Sequence, residues 1–211
     1  MRTVKPAQER KNEILDAASA LFSQKGFDAT SVNDILERVG IAKGTFYYYF
    51  QSKEEVMDAL IDRVSAHMLA AAREIAADGT LGVHEKIFRV VMALNMRGGA
   101  DEALLQHIHQ PQNALMHEKS LRTLITGVTP ILAAVVEDGA KQGLFDTAYP
   151  YEAVEMIIIY VQIAFDEGIL PHSPQAQAAR IPAFIAHIER LLGAKAGSFA
   201  YVTQLFDEDR N

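Results

Sequence analysis

Between Ser31 and Phe50 the apolar residues fall into two short helical registers separated by a glycine. Val32, Ile35, Leu36 and Val39 recur at i, i+3, i+4 and i+7, one face of a helix. Ser31 stands where an N-cap belongs, and Asp34 three residues on makes a looser form of the capping box. Gly40 supplies the residue type that leaves a helix with positive φ. Phe46 and Phe50, four apart, give a second helix its inward face, while Lys43, Gly44, Tyr47 and Tyr48 fall on the other side. Ser52-Lys53-Glu54-Glu55 then reads as a full capping box opening a further helix. An inward apolar face backed by an outward Lys/Gly/Thr/Tyr face is what a helix needs to lie in a DNA major groove.

The same periodicity predicts helices through the rest of the chain. From Pro6, a favourable first helical residue, Ile14, Ala18, Leu21 and Phe22 keep the period until Gly26, and Phe27 is placed to plug the base of this first helix. The helix opened at Ser52 runs through Val56, Leu60, Val64 and Met68 to Asp78-Gly79. Residues 81–97 carry Ile87, Val91 and Leu94 on one face, and residues 101–109 form a short helix ended by Pro111. From 112 to 142 the pattern is helical but broken or bent near Gly127-Val128-Thr129-Pro130. Pro150 starts and Gly168 ends a helix whose polar residues Glu152, Glu155, Gln162 and Asp166 form one narrow stripe. A helix apolar over most of its circumference must be covered on most sides. The last large helix, about 174–192, has Pro182 inside it, where a kink or restart is expected. The tail offers Phe199, Val202, Leu205 and Phe206 as a face expected to dock onto the body. No strand alternation or fixed-period repeat occurs, so the expected class is all-α.

Composition narrows this little further. With 49% hydrophobic and 22% charged residues over 211 positions, the chain is globular rather than disordered and long enough for a substantial core. The absence of cysteine excludes disulfides, thiolate catalysis and cysteine-ligated metal, and fits a reducing cytoplasmic setting. The N-terminus lacks the apolar core of a signal peptide, and the apolar run near residues 156–165 is shorter than the about 20 residues a bilayer requires, so no membrane partner is expected. Charge is more informative once divided. Residues 1–53 hold eight Lys/Arg against six Asp/Glu, a balance of +2, while the whole chain is −7. The basic excess lies at the end expected to meet phosphate, and the acidic body discourages indiscriminate coating of nucleic acid.

Thr30-Ser31, Ile35, Gly40-Ile41, Lys43-Gly44-Thr45-Phe46-Tyr47, Tyr49-Phe50 and Ser52-Lys53-Glu54 together resemble the DNA-binding segment of the TetR family of bacterial transcription regulators. The resemblance is specific over about residues 8 to 65; beyond it, only length and helical character match. Leu36 and Val39 depart from the family in standing where smaller residues are common, which affects packing rather than readout. The resemblance implies an N-terminal three-helix helix-turn-helix DNA-binding domain, residues 1–53, followed by a C-terminal helical ligand-binding and dimerisation domain, residues 54–211. It implies double-stranded operator DNA, a small-molecule effector and a second copy of the chain as partners, with no cofactor.

On that reading Lys43, Gly44, Thr45 and Tyr47 approach base edges, Gly44 letting the backbone come close and Thr45 or Tyr47 touching thymine methyls. Ser31, Tyr48, Tyr49 and Lys53 are assigned to phosphates. In the family the last two helices pair with their copies as a four-helix interface, which here selects Val154, Ile158, Val161, Phe165, Ile185, Ile188 and Leu192. Met68, Phe88, Met92, Met96, Leu105, His109 and Met116 are candidates to line an effector cavity, because Met adapts to irregular shapes, although plain core packing selects the same residues. Glu155 is open to either the cavity or solvent.

Two other classes are weighed against this. An architectural DNA binder would show little operator preference and no cavity. A metal-dependent enzyme would use His107, His109 and His117, but i, i+2 puts two histidines on different sides of a helix and no carboxylate stands at a partnering spacing. No local nucleophile motif and no glycine-rich phosphate loop after a strand is present, so the chain is expected not to be an enzyme.

Overall fold

The structure is a computed structural model and describes residues 6–95, 113–166, 169–170 and 173–207. Among these the regular elements are all helical: α1 (Ala7–Lys25), α2 (Val32–Val39), α3 (Lys43–Tyr49), α4 (Lys53–Ala77), α5 (Val83–Asn95), α6 (Ala114–Lys141), α7 (Pro150–Ala164), α8 (Pro174–Leu191), a 3-10 turn (Ala200–Thr203) and the short α9 (Gln204–Asp207). Pro6 precedes α1 as its cap residue, one position earlier than expected. The short helix expected over 101–109 lies outside the described residues. The described residues form two compact units: those up to Ala66 with 113–123, and 67–95 with those from Leu124 onward. Helices α4 and α6 each contribute to both.

The first unit is built around a core that includes Ile14, Phe22, Ile35, Phe46, Phe50 and Leu60. The expected capping box of α2 forms in full: Ser31 Oγ accepts from the Asp34 amide at 3.2 Å, and Asp34 Oδ2 accepts from the Ser31 amide at 2.6 Å. Gly40 ends α2 at φ +73°, a left-handed conformation that a residue with a Cβ adopts only at a steric cost. At the head of α4, Ser52 Oγ accepts from the Glu55 amide at 3.1 Å, but Glu55 reaches back to the Gln51 amide at 2.5 Å, one residue before the cap. Met116, expected in an effector cavity, is instead fully buried in this unit's core among the residues beneath the helix-turn-helix. Residue type alone points a Met toward a cavity, and type does not say which of two cores a Met fills.

The second unit packs parts of α4 and α6 with α5, α7, α8 and the C-terminal turn. Helix α6 passes through Pro130 unbroken. The proline leaves the carbonyl four residues back without its helical donor, and Thr129 Oγ1 donates to the adjacent carbonyl of Ile125 at 2.7 Å. Pro182 likewise does not break α8; it and Ala178 lie on the exposed side, where water can serve the freed carbonyl. Arg180 Nη1 donates to the Ala164 carbonyl at 2.9 Å, satisfying the C-terminus of α7. At 28 residues α6 is long and apolar enough to cross a bilayer, but Val128, Ile131, Val135 and Val136 are buried in this unit's own core.

The tail packs as expected: Phe199 and Val202 are buried, and Leu205 and Phe206 pack against the same core. His84 of α5 stands among the rings of Phe145, Phe199 and Tyr201, with centroids 4.9–5.6 Å away, and its Nδ1 lies 3.2 Å from the Tyr201 hydroxyl. Burial pushes the His84 imidazole below its ordinary pKa and the Tyr201 phenol above its own.

Five of the residues selected for a dimer interface require correction. Val154, Ile158, Ile185, Ile188 and Leu192 are buried within the chain's own core, and Val161 and Phe165 pack against it. Periodicity shows that α7 has apolar residues on most sides but carries no information about which side its own core takes. The apolar residues that α7 leaves exposed are Tyr151, Met156, Ile159 and Tyr160. On α8 the exposed side is small: Ala176, Ala179, Ala183 and Ala186.

Candidate nucleic-acid interface

Helix α3 is seven residues long and held by two anchors, Phe46 and Phe50, which are 0% and 1% exposed. Burying two phenyl rings from so short an element fixes its rotation, since each fully buried ring contributes roughly 1.5–3 kcal/mol. The opposite side carries Lys43, Gly44, Tyr47 and Tyr48, all exposed, Tyr48 at 77%. Thr45 and Tyr49 are half-buried at its edges. A phenol side chain that is three-quarters exposed leaves most of its surface available to a partner.

Gly44 adds an independent observation. A Cβ built there would meet no atom within 4 Å, so nothing inside the protein requires glycine at this position. Its helical backbone does not require it either, and glycine in a helix costs about 0.8–1.0 kcal/mol relative to alanine. What glycine supplies is a bare stretch of backbone on the outward side of α3. Lys43 Nζ lies 5.8 Å from the centroid of the Tyr47 ring, so ammonium and ring share this surface.

The residues assigned to phosphate are engaged within the protein to different degrees. Ser31 Oγ donates to Asp34 Oδ2 at 2.7 Å, and Lys25 Nζ pairs with the same carboxylate at 2.8 Å. Lys25 first, then the Ser31 amide and hydroxyl, hold the Asp34 carboxyl well below the usual range. Lys53 Nζ donates to the Phe27 carbonyl at 2.6 Å and lies 4.1 Å from the Phe27 ring centroid. An ammonium has three donors, so this bond leaves capacity for a further anion. Tyr48 and Tyr49 meet edge to face at 4.9 Å. Lys25 escapes sequence reasoning because its partner is nine residues away across a turn, a spacing that no helical rule connects.

Four of the candidate effector residues lie among the described residues. Met68, Phe88 and Met92 are half-buried in the second unit, Met116 belongs to the core of the first, and Met96, Leu105 and His109 lie outside the described residues. His107 lies outside them too. The second unit carries an open concavity of about 200 Å³ lined by His84, Glu85, Phe88, Tyr201 and Gln204, of which only Phe88 is selected from sequence.

Comparison with known proteins places this geometry. Residues 14–60 match the family model for bacterial regulatory proteins of the tetR family, and residues 99–186 match that for the tetracyclin repressor-like C-terminal domain. An uncharacterised HTH-type transcriptional regulator, YhgD of Bacillus subtilis (strain 168), is 28% identical over 163 residues, 75% of this chain and 84% of its own length. The HTH-type transcriptional repressor KstR2 of Rhodococcus jostii (strain RHA1) is 28% identical over 138 residues, 64% of this chain and 68% of its own. Among solved structures, Salmonella enterica GusR superposes with a TM-score of 0.59 at 25% identity, covering 90% of this chain and 99% of GusR. The exposed side of α3, its two phenylalanine anchors and the capped helix before it therefore have one account: this chain belongs to the TetR family, a family of DNA-binding transcriptional regulators rather than enzymes.

Proposed function

We propose that the protein is a homodimeric repressor that reads a two-fold symmetric operator and is released from it by a small-molecule ligand. Residues 1–53 supply the DNA contacts; residues 54–211 supply dimerisation and ligand response. The observation that carries the reading is the outward surface of α3, where exposed Lys43, Gly44, Tyr47 and Tyr48 back the buried Phe46 and Phe50. In a major groove Lys43 and Tyr47 meet base edges beside the bare backbone of Gly44, with Thr45 at the margin. Tyr48, Tyr49, Lys53 and Ser31 meet the flanking phosphates.

Two copies are needed because one α3 reads only a few base pairs, and the +2 charge of residues 1–53 supplies little affinity by itself. The surface suited to pairing is the exposed apolar side of α7, Met156, Ile159 and Tyr160, with the small exposed side of α8. Alanines allow a partner helix to approach closely, and the larger α7 side chains fill the remaining space. Each patch meets its copy across a two-fold axis, giving two α3 helices for half-sites about 34–36 Å apart.

Helix α4 is continuous from Lys53 to Ala77, with its head in the first compact unit and its end in the second. A ligand that favours one arrangement of α4 changes the spacing of the two α3 helices while each stays folded. It must bind the DNA-incompetent state better, by about 1.4 kcal/mol for each tenfold loss of operator affinity. The test is selection of DNA sequences from a random pool, followed by titration of small apolar ligands against the selected duplex. Palindromic enrichment, release by a ligand, and an equal weakening of that ligand by DNA are the expected results. Enrichment of non-palindromic sites would overturn the dimeric readout; a ligand that binds without altering DNA affinity would overturn the switch.

A further inference from the structure

The turn between α1 and α2 is held by side chains from two places remote in sequence. Its central residue is Phe27, buried against Phe22 with ring centroids 5.2 Å apart. The Phe27 amide donates to Asn113 Oδ1 at 3.0 Å, across 86 residues of chain. The Phe27 carbonyl accepts from Lys53 Nζ at 2.6 Å and from the Thr30 amide at 3.1 Å. Thr30, itself 1% exposed, donates its hydroxyl to the Gly26 carbonyl at 2.7 Å. Gly26 sits at φ +84°, ψ 161°, a backbone conformation open essentially to glycine alone, so the chain leaves α1 in a direction that nothing in its own helical preference sets.

Asn113 stands immediately before α6, in a 3-10 turn that runs into it. Here its carbonyl oxygen reaches the α1–α2 turn, and the residue is 1% exposed. The following turns of α6 point the same way: Met116 is fully buried in the helix-turn-helix core, and Lys119 pairs with Asp58 of α4. The head of α6 is thus part of the DNA-binding unit, and Asn113 grips the one backbone amide from which the path to Ser31, and so to α2 and α3, departs.

We propose that Asn113 is a positioning residue for DNA readout, acting through the Phe27 amide to fix the angle at which α2 and α3 leave α1. It touches no DNA. Its effect is on geometry: a turn free to relax leaves α3 able to meet phosphate nonspecifically but unable to hold Lys43 and Tyr47 against base edges. The inference rests on the DNA-binding reading above and adds to it a determinant some 60 residues beyond the helix-turn-helix.

The test compares the full-length protein with Asn113→Leu, which keeps the branched outline of the side chain but removes the acceptor, and Asn113→Asp, which keeps an acceptor oxygen. The probes are the duplex selected by the wild-type protein and a scrambled duplex of equal length. If Asn113 positions readout, folded Asn113→Leu loses roughly tenfold in affinity for the selected duplex, the scale of one buried bond, while scrambled binding stays within about twofold. Asn113→Asp recovers most of the loss. Unchanged affinity for the selected duplex, or an equal fall for both duplexes, overturns the proposal. Failure of the wild type to select any sequence overturns the underlying reading and this one with it, whereas normal selection by Asn113→Leu sinks this one alone. Should Asn113→Leu not fold, hydrogen exchange at the Phe27 amide of the wild-type protein decides. By reciprocity, bound selected duplex must slow that exchange by a similar factor, about tenfold, and scrambled duplex must not. Equal exchange with and without selected duplex refutes the coupling.

Discussion

Replacing Lys53 with Ala removes two kinds of interaction at once, and the structure allows them to be weighed separately. Within the protein, Lys53 makes a charge-assisted bond of 2.6 Å to the Phe27 carbonyl and a cation–π interaction with its ring at 4.1 Å. A bond to a charged donor contributes about 1.5–3 kcal/mol and a half-exposed cation–π pair about 0.5–1 kcal/mol. The Phe27 carbonyl keeps the Thr30 amide at 3.1 Å, so it is not orphaned and the cost falls near the lower end. We expect a loss of about 2 kcal/mol, which for a chain of this size lowers Tm by about 4–8 °C. Toward DNA, withdrawing one ammonium–phosphate pair from each half of a dimer reduces the slope of log affinity against log salt by about 1.8, whatever the sequence. Lys53→Met isolates the packing from both, because a thioether still rests on the Phe27 ring while the bond and the charge are lost together. Thermal melts and salt titrations on selected and scrambled duplexes check this. An unchanged melt for Lys53→Ala would refute the tether, and an unchanged salt slope in a folded variant would refute the phosphate assignment.

The proposed dimer surface predicts opposite outcomes for neighbouring residues. Ile159→Asp, at a position 42% exposed, leaves the fold intact but shifts sedimentation from about 47 kDa, two copies, toward the 23.3 kDa monomer. Ile158→Asp, at 8% exposure inside the core, unfolds the second unit by burying an unpaired carboxylate. A dimeric Ile159→Asp protein at micromolar concentration would show the face to be wrong. Tyr47→Ala should change which sequences are preferred by about 1–3 kcal/mol at the base touched, and an unaltered selection profile would remove Tyr47 from readout. Burial lowers the His84 pKa in the folded chain, so the unfolded chain binds the extra proton first. The contribution of neutral His84 is therefore fully present above about pH 6.5 and is lost as pH falls through the lower folded value. His84→Gln should flatten stability on that acid limb, and parallel curves for the two proteins would contradict this.

The recognition segment is legible because its information is local. The Ser31–Asp34 box, the Gly40 terminator and the Phe46–Phe50 pair each act within four residues, and each appears in the structure as its spacing implies. Helix identities are legible for the same reason, and the prolines at 130 and 182 stand inside continuous helices because their cost depends on what lies around the freed carbonyl. The side of α7 that faces the core is not legible. Ile158 and Ile159 are the same residue type one step apart, and only the packing partners decide that the first is buried and the second exposed. Met116 and Asn113 are illegible for a related reason: their partners lie more than fifty residues earlier, and no local pattern distinguishes one core from another.

The burial of Met116 beneath the helix-turn-helix bears on how such regulators are recombined. A chimera that joins residues 1–66 to a foreign effector domain takes the reading head without the residue that seals its underside. An empty Met-sized volume in a core costs about 2–5 kcal/mol, a large share of what a small domain has to spare. Grafts cut once, within α4, should therefore emerge unstable unless the incoming domain carries its own side chain of similar volume at the head of its corresponding helix. Grafts that also transplant Asn113 to Thr123 carry the seal with them. Exchange of specificity between relatives is in this sense a two-segment operation, and the second segment begins only beyond α5.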